Sequence, residues 1–429
     1  MRNAGGALIA SGALLSIGSL ALANPFLAVA GAGTLFFGAV AYLEFRSLAD
    51  RPASAERTLS VRKAPAGEPV ACKLRVDAGN RLPLSFQETL PPGAGIVAGH
   101  AGGEGVGSAE AAYSLAFSQR GLQQIGPATL EERDGAGLFS LAKCAGEADS
   151  VLVYPSLSGV KRYDAGMRRR PARQLEGVRR IAVQGDGTDF SSLRKYAPGD
   201  ELRRVDWKAT ARTRQLIVKT FEEEKRQRVF IALDCGKQMD AGKPVTMLDA
   251  GVDASVLLAN AVLRRGDLLG FASFSDRMGA FLKPGSGRAQ LYAVLDAIAR
   301  AKPERETDFL ASFQRLSALL PQRSLLFIFS CLRDGEPDRI LEAIRLLKSH
   351  QHAVIVIAPF EPLFEEVDGD DITRAIAGGA REKYARDLNS LASRAGRFGA
   401  RVSPVGPADA SDEALRRYAY AVNRGLATI

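Results

Sequence analysis

The sequence predicts a multidomain architecture: two N-terminal transmembrane helices, a small β-sandwich, and a doubly wound α/β domain. Three observations carry this. No charged residue occurs between Arg2 and Glu44. From about Leu59 to Pro155, short alternating runs are separated by Gly/Pro turns. From about Val229 onward, apolar strands alternate with segments of helical periodicity. The boundaries so read are 1–46 for the helical hairpin, 47–160 for the sandwich, 161–228 for a basic segment, and 229–429 for the α/β domain.

The uncharged stretch Asn3–Leu43 has 41 residues. As one helix it would span about 60 Å, twice an apolar bilayer core of about 30 Å. Asn24-Pro25 near its midpoint supplies the turn. Two helices follow, roughly Ala4–Ala23 and Phe26–Leu43. Glycines at 5, 6, 12, 18, 31, 33 and 38 suit close helix packing in lipid. Ala21-Leu22-Ala23 resembles a signal-peptide cleavage site, but the charged region before it is thin and a second apolar stretch follows at once. Arg2 precedes the first helix; Arg46, Arg51, Arg57, Arg62 and Lys63 follow the second. The positive-inside rule then places both ends in the cytoplasm, giving a two-pass protein of the inner membrane with a cytoplasmic body.

Composition agrees with folded domains behind that anchor. Of 429 residues, 46% are hydrophobic and 24% charged, which excludes disordered and fibrous classes. Cys72, Cys144, Cys235 and Cys331 form no CxxC pair, and His100, His350 and His352 are the only histidines. A zinc site therefore has little to draw on, and reduced thiols are expected.

In the sandwich region, Cys72–Val76 and Tyr113–Phe117 read as strands, and Val151–Pro155 as a closing strand. Gly99–Gly107 reads as a loose hairpin loop, because no strand-to-helix context makes it a phosphate cradle. The segment 161–228 holds 19 Lys/Arg against 10 Asp/Glu, a surplus equal to the chain's net charge of +9. Its centre runs from Gly187 to Arg212 and contains the single Trp, Trp207. Pro198-Gly199-Asp200 predicts a turn, with Asp200 capping the helical turn behind it. Arg203, Arg204 and Arg212 are suited to fork onto carboxylates or phosphates, with Asp200 and Asp206 as nearby partners. An internal ion-pair network and a binding surface are equal readings of this stretch.

The α/β region predicts strands at Phe230–Leu233, Leu268–Phe274, Leu325–Phe329, Val354–Ile357 and Arg401–Val405, with a short edge strand at Met278–Leu282. Helices are expected near Met247–Arg265, about Leu291–Ile298, Phe309–Leu320 and Ile340–Leu347, then Arg381–Arg397 and Glu413–Leu426. In this architecture ligands sit at the carboxyl ends of the strands. Asp234 falls there. A run Asp-x-Ser-x-Ser with Thr and Asp on neighbouring loops would bind a hard cation such as magnesium through oxygen. The run here is Asp234-Cys235-Gly236-Lys237-Gln238, and Ser330-Cys331 stands where a carboxylate is expected. Thr307 supplies one oxygen, while Lys237 adds a competing ammonium. A structural Asp234, capping a helix or paired with Lys237, is the better reading, with no metal bound.

The run Gly187–Glu224 resembles the signature of the family called domain of unknown function 58. Asp189-Phe190, Leu193-Arg194, Tyr196, Gly199-Asp200, Arg203, Asp206-Trp207 and Ala211-Arg212 meet its pattern, and Phe221-Glu222-Glu223-Glu224 its acidic tail. The resemblance implies a von Willebrand factor A-like C-terminal domain, from whose usual metal motif this chain departs at Gly236, Gln238 and Cys331. It also implies partners: the membrane, MoxR-type AAA+ ATPases acting in protein assembly, and other von Willebrand factor A proteins. No GxSxG, HExxH or P-loop is present, so no catalytic residue is assigned. The leading expectation is a non-catalytic membrane adaptor. A magnesium-dependent receptor using Asp234 and Thr307 is a second reading. A binder of anionic lipid or nucleic acid is a third, with nucleic acid the weakest because few aromatics interleave the basic stretch.

Overall fold

The computed structural model describes residues 3–134, 137–156, 184–185, 189–198, 200–222, 226–321, 323–333, 337–364 and 370–425. The chain divides into two compact units, 1–156 and 157–429.

The first unit opens with α1 (Asn3–Leu22) and α2 (Pro25–Ala49). Both are long and apolar enough to cross a membrane. Asn24 Oδ1 accepts the Phe26 amide hydrogen at 3.0 Å and so caps the second helix. The helices touch where side chains are smallest: a Cβ on Gly31 would lie 2.5 Å from Ser16 Oγ and 2.9 Å from the Gly12 carbonyl oxygen. Leu14, Leu20, Phe26, Phe36 and Leu43 point outward and exposed. Lipid is the solvent that satisfies such a surface, and the protein is membrane-anchored.

Eleven strands follow: β1 (Ser54–Leu59), β2 (Lys63–Pro65), β3 (Val70–Asp77), β4 (Pro83–Glu88), β5 (Ala94–Gly99), β6 (Gly102–Val106), β7 (Ser108–Phe117), β8 (Gly121–Ile125), β9 (Ala128–Arg133), β10 (Ser140–Ala145) and β11 (Asp149–Tyr154). One sheet runs β1-β3-β7-β6-β4-β9-β10 with β5 also on β7; the other is β2-β11-β8. Strict alternation in β3 buries Val70, Cys72, Leu74 and Val76 against Leu115, Val151 and Val153. The Gly99–Gly107 loop expectation is corrected: Gly102–Val106 pairs with β4 as a strand. Glycine serves a special purpose at 99, where φ is +78° and a Cβ would sit 2.4 Å from the Ala112 carbonyl oxygen. The sheet also grips the helical hairpin. Gly5 donates its amide hydrogen to the Leu138 carbonyl at 3.0 Å, and Phe139 packs on Tyr42 and Phe45.

The second unit begins with a small antiparallel sheet of β12 (Gln184–Gly185), β13 (Asp189–Lys195) and β14 (Ile217–Glu222), in the order β12-β14-β13. Between β13 and β14 lie a 3₁₀ turn, Leu202–Arg204, and the short helix α3 (Trp207–Thr213). The main sheet contains β15 (Arg228–Asp234), β16 (Leu268–Phe274), β17 (Met278–Gly285), β18 (Leu325–Phe329), β19 (Ala353–Pro359) and β20 (Arg401–Val405), ordered β17-β16-β15-β18-β19-β20. Only β17 is antiparallel to its neighbour. The helices are α4 (Met247–Arg265), α5 (Gly287–Arg300), α6 (Phe309–Leu319), α7 (Pro337–Ser349), α8 (Asp371–Gly396) and α9 (Ala410–Asn423). Strands β15, β18 and β19 are apolar almost throughout because helices cover the sheet. After β17 the chain crosses back over β15 to start β18, so the topological switch point falls between the carboxyl ends of β15 and β18.

Candidate functional site

Two groups of residues singled out by sequence occupy separate elements: the signature on β13, α3 and β14, and Asp234 with Thr307 at the switch point.

Asp234 ends β15 and is almost wholly buried. Its Oδ1 accepts the Thr307 hydroxyl at 2.6 Å and the Gly236 amide hydrogen at 2.8 Å. Its Oδ2 accepts the Ser330 hydroxyl at 2.6 Å, and Ser330 Oγ accepts the Leu332 amide hydrogen at 3.1 Å. Three chain segments are thus tied to one carboxylate. Burial pushes the Asp234 carboxyl above its usual range, opposed by the hydrogen bonds from Ser330, Thr307 and Gly236. Burial, then the Asp234 charge, pushes the neighbouring Cys331 thiol up to about 12.

Gly236 makes this knot possible. A Cβ there would lie 2.0 Å from Thr307 Oγ1. The threonine hydroxyl therefore occupies the volume that the first serine of a metal motif would fill. The donor set does not fit a divalent cation: one carboxylate and two hydroxyls saturate one another. Among the described residues no three His, Cys, Asp or Glu side chains cluster as ligands. The expected pairing of Asp234 with Lys237 is corrected. Lys237 is exposed, and its backbone amide donates to the Arg305 carbonyl. Nor does Asp234 cap a helix; its carboxylate closes a turn onto the amide two residues ahead. Ser330 was the member that sequence reasoning missed. Its signal is its place directly after β18, at the position where a metal motif carries a carboxylate.

In the signature, Arg194 forks onto Asp200, with Nη1 to Oδ2 at 2.7 Å and Nη2 to Oδ1 at 2.6 Å. Asp200 Oδ2 also accepts the Ala197 amide hydrogen at 2.8 Å. Asp200 is thus a loop clamp. The expectation that it caps the next helical turn is corrected, since Glu201 holds that position without a side-chain bond. The cap falls to Asp206, whose Oδ1 accepts the Lys208 and Ala209 amide hydrogens at 3.0 Å each. The Ala209 amide, with Lys219 and Lys208, holds the Asp206 carboxyl below its ordinary range despite some desolvation. Tyr196 bonds through its backbone to Leu216. Trp207 is 66% exposed, and Leu202 and Leu193 of the same signature are exposed too. Arg203 and Arg212 are exposed and, among the described residues, meet no carboxylate, unlike the forks expected of them. Asp189 and Phe190 lie in β13, facing Glu222 and Phe221 of β14 in the backbone register. Their side chains, that of Arg204, and the whole of Gly199 lie outside the described residues.

Residues 192–369 match the family model described as "Protein of unknown function DUF58". The match covers less than half of the chain. It takes in most of the signature, the Asp234 knot and the sheet through β19. An uncharacterized protein, YeaD, of Bacillus subtilis is 29% identical over 171 residues, covering 39% of this chain and 40% of that protein. The chain thus aligns with less than half of that relative's length. The uncharacterized protein Rv1480 of Mycobacterium tuberculosis is 23% identical over 229 residues, covering 50% of this chain and 68% of that one. Among solved structures, a conserved hypothetical protein BatB of Bacteroides thetaiotaomicron overlaps 46% of this chain and 99% of its own, at 14% identity and a TM-score of 0.34. The SpRpn10 VWA domain overlaps 45% and 95%, at 13% identity and a TM-score of 0.28.

Proposed function

We propose that this protein is a non-catalytic adaptor of the inner membrane, with its body in the cytoplasm. Its DUF58 region docks a MoxR-type AAA+ ATPase that serves protein assembly. The observation that carries the reading is the exposed Trp207, held on a module fixed by the Arg194–Asp200 fork and the Asp206 cap, with Arg203 and Arg212 meeting no carboxylate among the described residues. Exposed Trp and Arg on a rigid base are the residue types that anchor protein interfaces. The charge asymmetry around the hairpin supports the orientation. Docking in this reading is metal-free, because Asp234 spends its oxygens on Thr307 and Ser330.

The test is a pull-down of the detergent-solubilised full chain from native membranes, in ATP and in a non-hydrolysable analogue, read by mass spectrometry. An AAA+ ATPase retained by wild type and lost on Trp207→Ala or Arg203→Ala, with the variants folded, is the expected result. No ATPase under either nucleotide overturns the reading.

A further inference from the structure

A second surface lies at the opposite end of the main sheet from Asp234. Arg401 opens β20 there, and the carboxyl ends of α7, α8 and α9 converge on it. The Arg345 guanidinium lies 4.3 Å above the Phe398 ring. Lys348 reaches Gly399, where a Cβ would lie 3.6 Å from its Nζ. Tyr420 is flanked by two guanidiniums, Arg401 at 4.7 Å and Arg424 at 5.0 Å, and Arg401 donates to its hydroxyl at 3.0 Å. Arg397, exposed, precedes Phe398 in the same loop. Five cations thus gather on and around residues 397–401, and among the described residues none pairs with a carboxylate. Glu342, three residues before Arg345 on α7, makes no ion pair with it.

Nearby cations that do pair show the contrast: Arg394 meets Asp338, Arg417 meets Glu413 and Arg333 meets Glu361. Helix ends explain part of it. Three carboxyl termini each present about half a negative charge, which offsets roughly one and a half of the five. The remainder repel one another unless an anion meets them. We propose that this face binds the acidic phospholipid headgroups of the membrane that anchors the chain. The two bilayer-length helices tether it to such a surface at high local concentration. The rings favour a lipid headgroup over nucleic acid: Phe398 and Tyr420 already stack with guanidiniums of their own chain, which compete with a base for those faces.

The test reconstitutes the full chain in nanodiscs of phosphatidylcholine alone or mixed with phosphatidylglycerol, and reads amide hydrogen exchange. Segments 345–350 and 397–401 are expected to exchange about tenfold more slowly, or slower still, in the anionic discs. High salt should abolish the difference. Arg345→Glu with Arg401→Glu should abolish it too, while exchange in β15 and β18 stays unchanged. The charge-preserving Arg401→Lys should retain it. Equal exchange in both discs at low salt overturns the proposal. So does equal protection in neutral discs from soluble glycerol phosphate, which would make free phosphate the ligand. Binding of a labelled RNA to protein in neutral discs, with no effect of phosphatidylglycerol, overturns it in favour of nucleic acid.

Discussion

At the scale of single residues, Asp234 stands where the fold places ligands and instead binds its own chain. The distances make a direct prediction. Asp234→Ala orphans two hydroxyls and an amide hydrogen in a buried site, and should lower stability by about 2–4 kcal/mol in denaturant titration. Asp234→Asn keeps an acceptor toward Thr307 and Gly236 and should lose less. Gly236→Ser, which restores a residue of the metal motif, should destabilise rather than create a site, because its Cβ meets Thr307 Oγ1. A magnesium-induced rise in the melting temperature of wild type would contradict this account of the knot. His352 gives the pH dependence. It is buried, its Nδ1 accepts the Ser324 amide hydrogen at 3.3 Å, and burial, helped by His350 and Lys348, lowers its pKa to about 4. The unfolded chain takes up a proton near pH 6.5 that the folded chain refuses until about 4. Stability from this group is therefore full above pH 6.5 and falls as pH drops through that window. Denaturation midpoints at pH 7 and 4.5 should differ more for wild type than for His352→Gln.

At the scale of elements, the α/β domain was the legible part. Its strands are apolar runs and its helices carry apolar residues at spacings of three and four, so β16, β18, β20 and α4 fall where periodicity puts them. α4 also carries its start signal: Thr246 Oγ1 accepts the Asp249 amide hydrogen at 3.0 Å, and Asp249 reaches back to the Thr246 amide. Thr246→Ala should lower stability by about 1 kcal/mol, read by the same titration. Other elements resisted reading for physical reasons. α8 begins ten residues before the expected Arg381, because Gly378-Gly379 resembles a helix break. β5 and β6 are poor in the side chains that mark strands. The β13–β14 hairpin is charged along its length and gives little alternation to follow. Asp200 reads as the cap in sequence, and the backbone path assigns the cap to Asp206 instead. In the membrane hairpin, Gly31→Leu should force α1 and α2 apart where Ser16 and Gly12 approach, and lower the yield of a disulfide engineered across them.

At the scale of the whole molecule, the chain combines an anchor, a β-sandwich seated on that anchor through Phe139, and a region matching the DUF58 model that displays its single Trp. The anchor was plain in the sequence because 41 uncharged residues admit few other uses. The signature surface was only half legible. The signature named its residues, but which of them build the scaffold and which face outward depends on hydrogen bonds that sequence does not show. Arg194, Asp200 and Asp206 serve the scaffold; Trp207, Arg203 and Arg212 face outward. The most direct measurement is equilibrium binding of the purified AAA+ ATPase to the full chain in nanodiscs, comparing wild type with Trp207→Ala. The account predicts about tenfold weaker binding or more for the variant, with its fold intact. Equal affinity in the two would contradict it and return the signature to a purely structural role.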